Sequence, residues 1–253
     1  MNRCRFILFS ALVCSALSGC SVKSDRSNCP SLLYLSVWGG EQSDCELSVQ
    51  GAGMDKQLHL FRNKAADRFG IELNRNEEYL LALSSGAGLR QAENLELGEE
   101  MPELYSYSRI VSCDSDVREL DVELHKEFCR LYFHLQGVDC RLRVRGNVCG
   151  FDVFHSRLVL GLFCHESHPL ISSSEEGNYQ YMVRIPRQID DSLMLEFLGN
   201  EDGEVFQSFK LGKLLMEMGV DWTKPDLDDL HVSIDYFNSE LVVSVQTWQK
   251  IEL

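Results

Sequence analysis

Between Cys129 and Arg145 the chain changes character at every step. Cys129, Leu131, Phe133 and Leu135 alternate with Arg130, Tyr132, His134 and Gln136. After Gly137, Val138, Cys140, Leu142 and Val144 alternate with Asp139, Arg141, Arg143 and Arg145. Successive strand side chains point to opposite faces, so two such runs require two strands, each with one buried and one wet side. The wet row Arg141, Arg143 and Arg145 is a candidate anion site. In a chain with 39 acidic and 24 basic residues, a solvated or salt-bridged face is the expected reading.

Weaker versions of this signal recur along the chain. Leu33, Leu35 and Val37 alternate with Tyr34 and Ser36. Further strands are expected at 57–62, 70–73, 79–83, 117–124, 157–163, 179–185 (closed by Pro186), 193–198 and 205–209. Residues 91–105 are acidic and fit either a loop or a short helix. Leu211, Leu214, Leu215 and Met218 recur at helical spacing and stop at Gly219. A hairpin closes the sequence, with strands at 231–236 and 241–247 and a turn near Asn238 and Ser239. Many short strands, polar turns and one minor helix predict an all-β chain of two tandem β-sandwiches, divided into 30–125 and 126–253, with one short helix late in the chain.

The first residues read differently. Arg3 and Arg5 precede an apolar run from Phe6 to about Ala16, then Leu17, Ser18, Gly19 and Cys20. The run has signal-peptide length and is shorter than the ~20 residues a membrane-spanning helix needs. Leu17–Cys20 resembles a bacterial lipobox, with small residues giving a peptidase access to the bond before the cysteine. Residues 1–19 are therefore expected to be a lipoprotein signal, Cys20 the lipidation site, and 20–29 a lipidated polar tether. Two or three acyl chains, at about 0.8 kcal/mol per buried methylene, hold firmly where one does not. Ser21 after the cysteine is not an aspartate retention signal of the enterobacterial kind, which points to the outer membrane.

Removing residues 1–19 takes two basic and no acidic residues, moving the net charge from −15 to −17. That argues against nucleic acid as a partner, since phosphate binding needs a basic surface. Beyond Cys20, seven cysteines remain: Cys29, Cys45, Cys113, Cys129, Cys140, Cys149 and Cys164. Their number is odd and no CxxC occurs. Cys129 and Cys140 lie on apolar strand faces and are expected to be buried thiols.

Motifs that carry chemistry are sparse. There is no nucleophile elbow, Walker loop, HExxH or dinucleotide fingerprint, and the turns at Gly51–Gly53 and Gly86–Gly88 lack the strand–helix context of a phosphate cradle. Cys164, His165, Glu166 and His168 have metal-ligand chemistry without zinc-site spacing, and are expected in a loop after a strand. Asp190, Asp191, Asp228 and Asp229 fit turn or cap roles. No enzyme, cofactor, metal or small-molecule substrate is expected.

Three stretches carry a family resemblance: Cys20 with a short tether containing Arg26 and then 29–37; residues 124–137 with 144–153; and the closing 230–236 hairpin followed by Trp248. Together they resemble the FimB/Mfa-type fimbrial anchor subunits of type V pili. The resemblance implies two transthyretin-like β-sandwiches held on the outer membrane by N-terminal lipid. It also implies pilin partners joined by β-strand exchange, with the anchor retaining the fibre and limiting its length. Leu241, Val243 and Val245 mark the C-terminal strand as a candidate for exchange. Pilins of this class are trimmed by an Arg-specific protease, and Arg26 is expected to be spared here. Cys129, Cys140 and Cys149 depart from the family, standing where apolar or small residues are expected. The alternative is a surface carbohydrate-binding lipoprotein, for which Trp38, Trp222 and Trp248 are the candidate platform residues.

Overall fold

The computed structural model describes residues 29–40, 43–62, 67–173, 177–236 and 240–244. The signal segment 1–19, Cys20, tether residues 21–28 with Arg26, Val245 and Trp248 lie outside the described residues. Among those described there are sixteen strands and one helix, and no helix is long and apolar enough to cross a membrane.

Seven strands make the first half: β1 (Ser31–Gly39), β2 (Cys45–Gly51), β3 (Met54–Leu60), β4 (Asp67–Leu73), β5 (Glu78–Ser85), β6 (Tyr105–Ser112) and β7 (Val117–Lys126). They form one sheet in the order β3-β2-β5-β6-β7-β1-β4. β6 and β7 pair only at Tyr105–Lys126 and Ser106–His125. The sheet folds over at this narrow joint, so that Leu33, Leu35 and Val37 share one core with Leu47, Val49, Leu81 and Leu83.

The second half contains β8 (Phe128–Gln136), β9 (Arg141–Asp152), β10 (Arg157–Ser167), β11 (Ile171–Ser173), β12 (Asn178–Pro186), β13 (Met194–Leu198), β14 (Val205–Phe209), β15 (Leu230–Asp235) and β16 (Glu240–Ser244). Helix α1 (Leu211–Glu217) follows β14 and buries Leu211 and Leu215. The strands form two sheets, β10-β9-β13-β14 and β11-β12-β8-β15-β16. Leu131, Phe133 and Leu135 of one sheet share a core with Leu142, Val144, Leu195 and Phe197 of the other.

The halves repeat one plan. β1 lies between antiparallel β4 and parallel β7, as β8 lies between antiparallel β12 and parallel β15. The order β3-β2-β5-β6 matches β10-β9-β13-β14. Two strands of the second half have no counterpart among the described residues of the first. β11 lies outside β12, and β16 lies outside β15, opposite Val232 and Ile234 through Val243 and Leu241.

The all-β fold and the late helix match the sequence reading, with informative differences. β2 and β6 were not anticipated, although Cys45, Leu47 and Val49 of β2 alternate with Glu46, Ser48 and Gln50. The second central strand starts at Arg141, because residues 137–140 turn around Gly137 at φ 113° and leave Val138 half-buried. It then runs to Asp152, buried on both faces from Val148 onward. Residues 86–104 explain this. They form an irregular segment whose Ala92, Leu95, Met101 and Leu104 enter the second core. Phe151 N–H donates to Ala92 O at 2.7 Å and Leu95 N–H to Cys149 O at 2.9 Å. Gly150 is required at this crossing, since a Cβ there would stand 2.4 Å from Ala92 O.

Candidate functional surfaces

The arginine row is not a vacant anion site. In-register pairing places Glu166 of β10 and Glu196 of β13 on either side of Arg143 of β9. Arg143 bridges both, at 2.6 Å to Glu166 and 3.2 Å to Glu196. Arg141 meets Glu166 at 3.2 Å and Arg145 meets Glu196 at 3.0 Å. Three guanidinium groups and two carboxylates thus form a ladder across three strands.

The cluster around Cys164 also resolves into structure. The expectation of a loop is corrected: Cys164, His165, Glu166 and Ser167 continue β10, paired with 142–145 of β9. His165 Nδ1 lies 2.7 Å from Gly98 O, which ties the strand to the 86–104 segment. No group of three His, Cys, Asp or Glu residues suited to a metal occurs among the described residues. Cys129 and Cys140 are fully buried. Burial pushes the Cys140 thiol pKa up to about 11, and Tyr181 Oη beside it donates to Cys140 O at 2.8 Å.

Of the tryptophans, Trp38 is 46% exposed at the end of β1, whereas Trp222 is buried in the second core. The two do not share one exposed platform. Sequence reasoning missed a different aromatic group on the outer side of β8 and β15. The Tyr132 and His231 rings stack at 4.7 Å, and His134 Nε2 lies 3.4 Å from His231 Nδ1. Tyr132 and His134 were legible as wet-side residues; the parallel β8–β15 register that brings in His231 was not.

The junction between the halves carries a network of buried and partly buried charge. Arg187 donates to the Glu127 carboxylate at 3.1 Å and to the carbonyls of Lys126, Trp222, Lys224 and Pro225. Asp190 accepts from Ser192 N–H in a turn, as expected. Asp229 departs from that reading. Its carboxylate takes Lys126 Nζ, Arg130 N–H and the Arg130 guanidinium, joining the end of β7 to β8.

β16 is the last strand of its sheet, and among the described residues only β15 pairs with it. The helix and connections after β14 separate β14 from β15, so the second sandwich lacks the direct β6–β7 type of joint. Phe206 of β14 packs instead against Tyr236 at 6.2 Å, with Phe206 left 45% exposed.

No protein-family model and no curated protein matches the sequence. Solved structures do. A proposed polysaccharide-binding protein from Bacteroides thetaiotaomicron aligns with a TM-score of 0.65 at 13% identity, covering 88% of this chain and 99% of its own. A proposed adhesin from Bacteroides ovatus aligns at 0.60 and 10% identity, covering 92% and 99%. The fimbrial anchor protein Mfa2 from Porphyromonas gingivalis aligns at 0.59 and 9% identity, covering 87% and 98%. The chain therefore has, over nearly its whole length, the fold of an Mfa-type fimbrial anchor and of the Bacteroides adhesins that share it.

Proposed function

We propose that this protein is an outer-membrane lipoprotein, acylated at Cys20 and exposed at the cell surface. In this reading it acts as anchor or minor structural subunit of a type V fimbria, retaining the fibre on the cell and limiting its length. The observation that carries the reading is the fold shared over 87% of the chain with a fimbrial anchor. A lipobox-like Leu17–Cys20 ahead of that fold supports it. The order along the chain would be signal 1–19, tether 20–29 and sandwiches 30–125 and 126–253.

Fibre partners would be pilin subunits joined by strand exchange. β16 is the natural candidate because it is an addition to the repeated plan, five residues long, at a sheet edge. Strand addition gives adhesion through main-chain hydrogen bonds and specificity through alternate side chains. Deleting the protein and imaging cells by electron microscopy tests the reading. Detached or abnormally long fibres are expected, and a fibre coat identical to the parent's would refute it.

A second reading, surface glycan binding, is favoured by the likeness to a proposed polysaccharide-binding protein and by the exposed Trp38. Glycan-array binding by the mature protein, lost in Trp38→Ala, would support it over the anchor.

A further inference from the structure

We propose that β4 is a self-association edge, through which two copies of this chain pair antiparallel into one continuous sheet.

The internal repeat points to the place. In the second sandwich the strand equivalent to β4 is β12, and its outer edge is extended by β11. In the first sandwich that position holds no strand among the described residues, so among them β4 ends its sheet and no strand pairs with its outer edge. The fold therefore accepts a strand there. β4 is also a regular edge. It runs seven residues against β1 without a register shift and contains no proline. By contrast β10 and β14 join their sheets through irregular register, β11 has three residues, and β3 is mostly exposed on both faces. Regular edges left open pair with other strands unless charge, bulges or covering loops prevent it.

The side chains select the occupant. Arg68, Gly70 and Glu72 lie on the exposed face of β4, and Ile71 and Leu73 face the core. When a second β4 lies antiparallel with the two-fold axis at Gly70, Arg68 stands opposite Glu72 of the other copy, and Glu72 opposite its Arg68. Phe69 stands opposite Ile71, an aromatic–β-branched pair. Opposite charges and such apolar pairs are the favourable cross-strand combinations. A two-fold interface must be self-complementary, and this register is. It also matches even-numbered residues with even-numbered ones, so outward N–H and C=O groups meet their partners. The axis itself is clear of side chains, because Gly70 has none. The Tyr34 ring lies beside it on the same molecule, 3.2 Å from where a Cβ would stand. Arg68 stacks over Tyr34 at 4.0 Å and pairs with Glu119 on the inner side of β4, so on pairing its guanidinium would exchange Glu119 for the other copy's Glu72 on the same exposed face.

The pairing does not depend on the fimbrial reading. Combined with acylation at Cys20, it would give one assembly two membrane anchors.

Co-expression of two differently tagged full-length copies tests the inference. Wild-type copies should co-purify. Arg68→Glu in both copies, or Glu72→Arg in both, sets like charges opposite each other twice and should lower recovery by about tenfold. One copy with Arg68→Glu and the other with Glu72→Arg restores both opposite-charge pairs and should recover the wild-type level. That recovery also shows that each variant folds. Absence of wild-type co-purification, undiminished recovery of the single variants, or failure of the mixed pair to recover would each overturn the proposal.

Discussion

Arg187 concentrates the chemistry of the junction in one side chain. It is 12% exposed, faces a Glu127 carboxylate that is 8% exposed, and reaches four backbone carbonyls. Burial raises the Glu127 pKa, and the Arg187 charge opposes that rise. Arg187→Ala would leave a buried carboxylate whose other partner is Ser106 Oγ at 3.1 Å. A loss of about 3–5 kcal/mol in denaturant unfolding is expected. Arg187→Lys should recover only part of it, because an ammonium lacks the planar fork that spans these carbonyls. His231 sets a pH dependence. Burial, then the neighbouring His134, lowers its pKa, while Asp229 pulls the other way. A histidine with a lowered folded pKa contributes stability above its ordinary value of about 6.5 and loses it as pH falls through the folded value. The melting temperature should therefore drop on acidification below about pH 6.5, and His231→Gln should flatten that drop.

At the scale of elements, legibility in the sequence tracked exposure. Where one face meets water, as in β8 with Leu131, Phe133 and Leu135 buried and Tyr132 and His134 half-buried, alternation located the strand to within a residue or two. Where both faces are covered, as in the second half of β9, it failed, because no polar face is there to read. Cys164–Ser167 looked like a loop because its polar residues are ion-paired and hydrogen-bonded on a strand, and their partners Arg141, Arg143 and Gly98 lie far away in sequence. The 86–104 segment was ambiguous for a related reason, since its apolar residues serve the core of the other half. Its docking onto β9 can be tested at Gly150. Gly150→Val would drive side-chain atoms into the carbonyls of Ala92 and Glu93, and should cost about 1–3 kcal/mol in thermal or denaturant unfolding. An unchanged midpoint would mean that the segment is not pinned there.

On the scale of the whole molecule, the two sandwiches are joined by more than a connection. Residues 87–104 of the first half complete the core of the second, and Asp229 and Arg187 of the second half grip Lys126 and Glu127 at the end of the first. Unfolding should accordingly be a single calorimetric transition, and two resolved transitions would contradict this coupling. Such a unit suits a part that transmits load from fibre to membrane. The proposed function makes that load path end at an acylated Cys20. The most direct measurement replaces Cys20 with alanine at the native locus and compares fibre on cells with fibre in the medium. The account predicts that protein and fibres shift together into the medium. Fibres retained on Cys20→Ala cells at the parental level would contradict it.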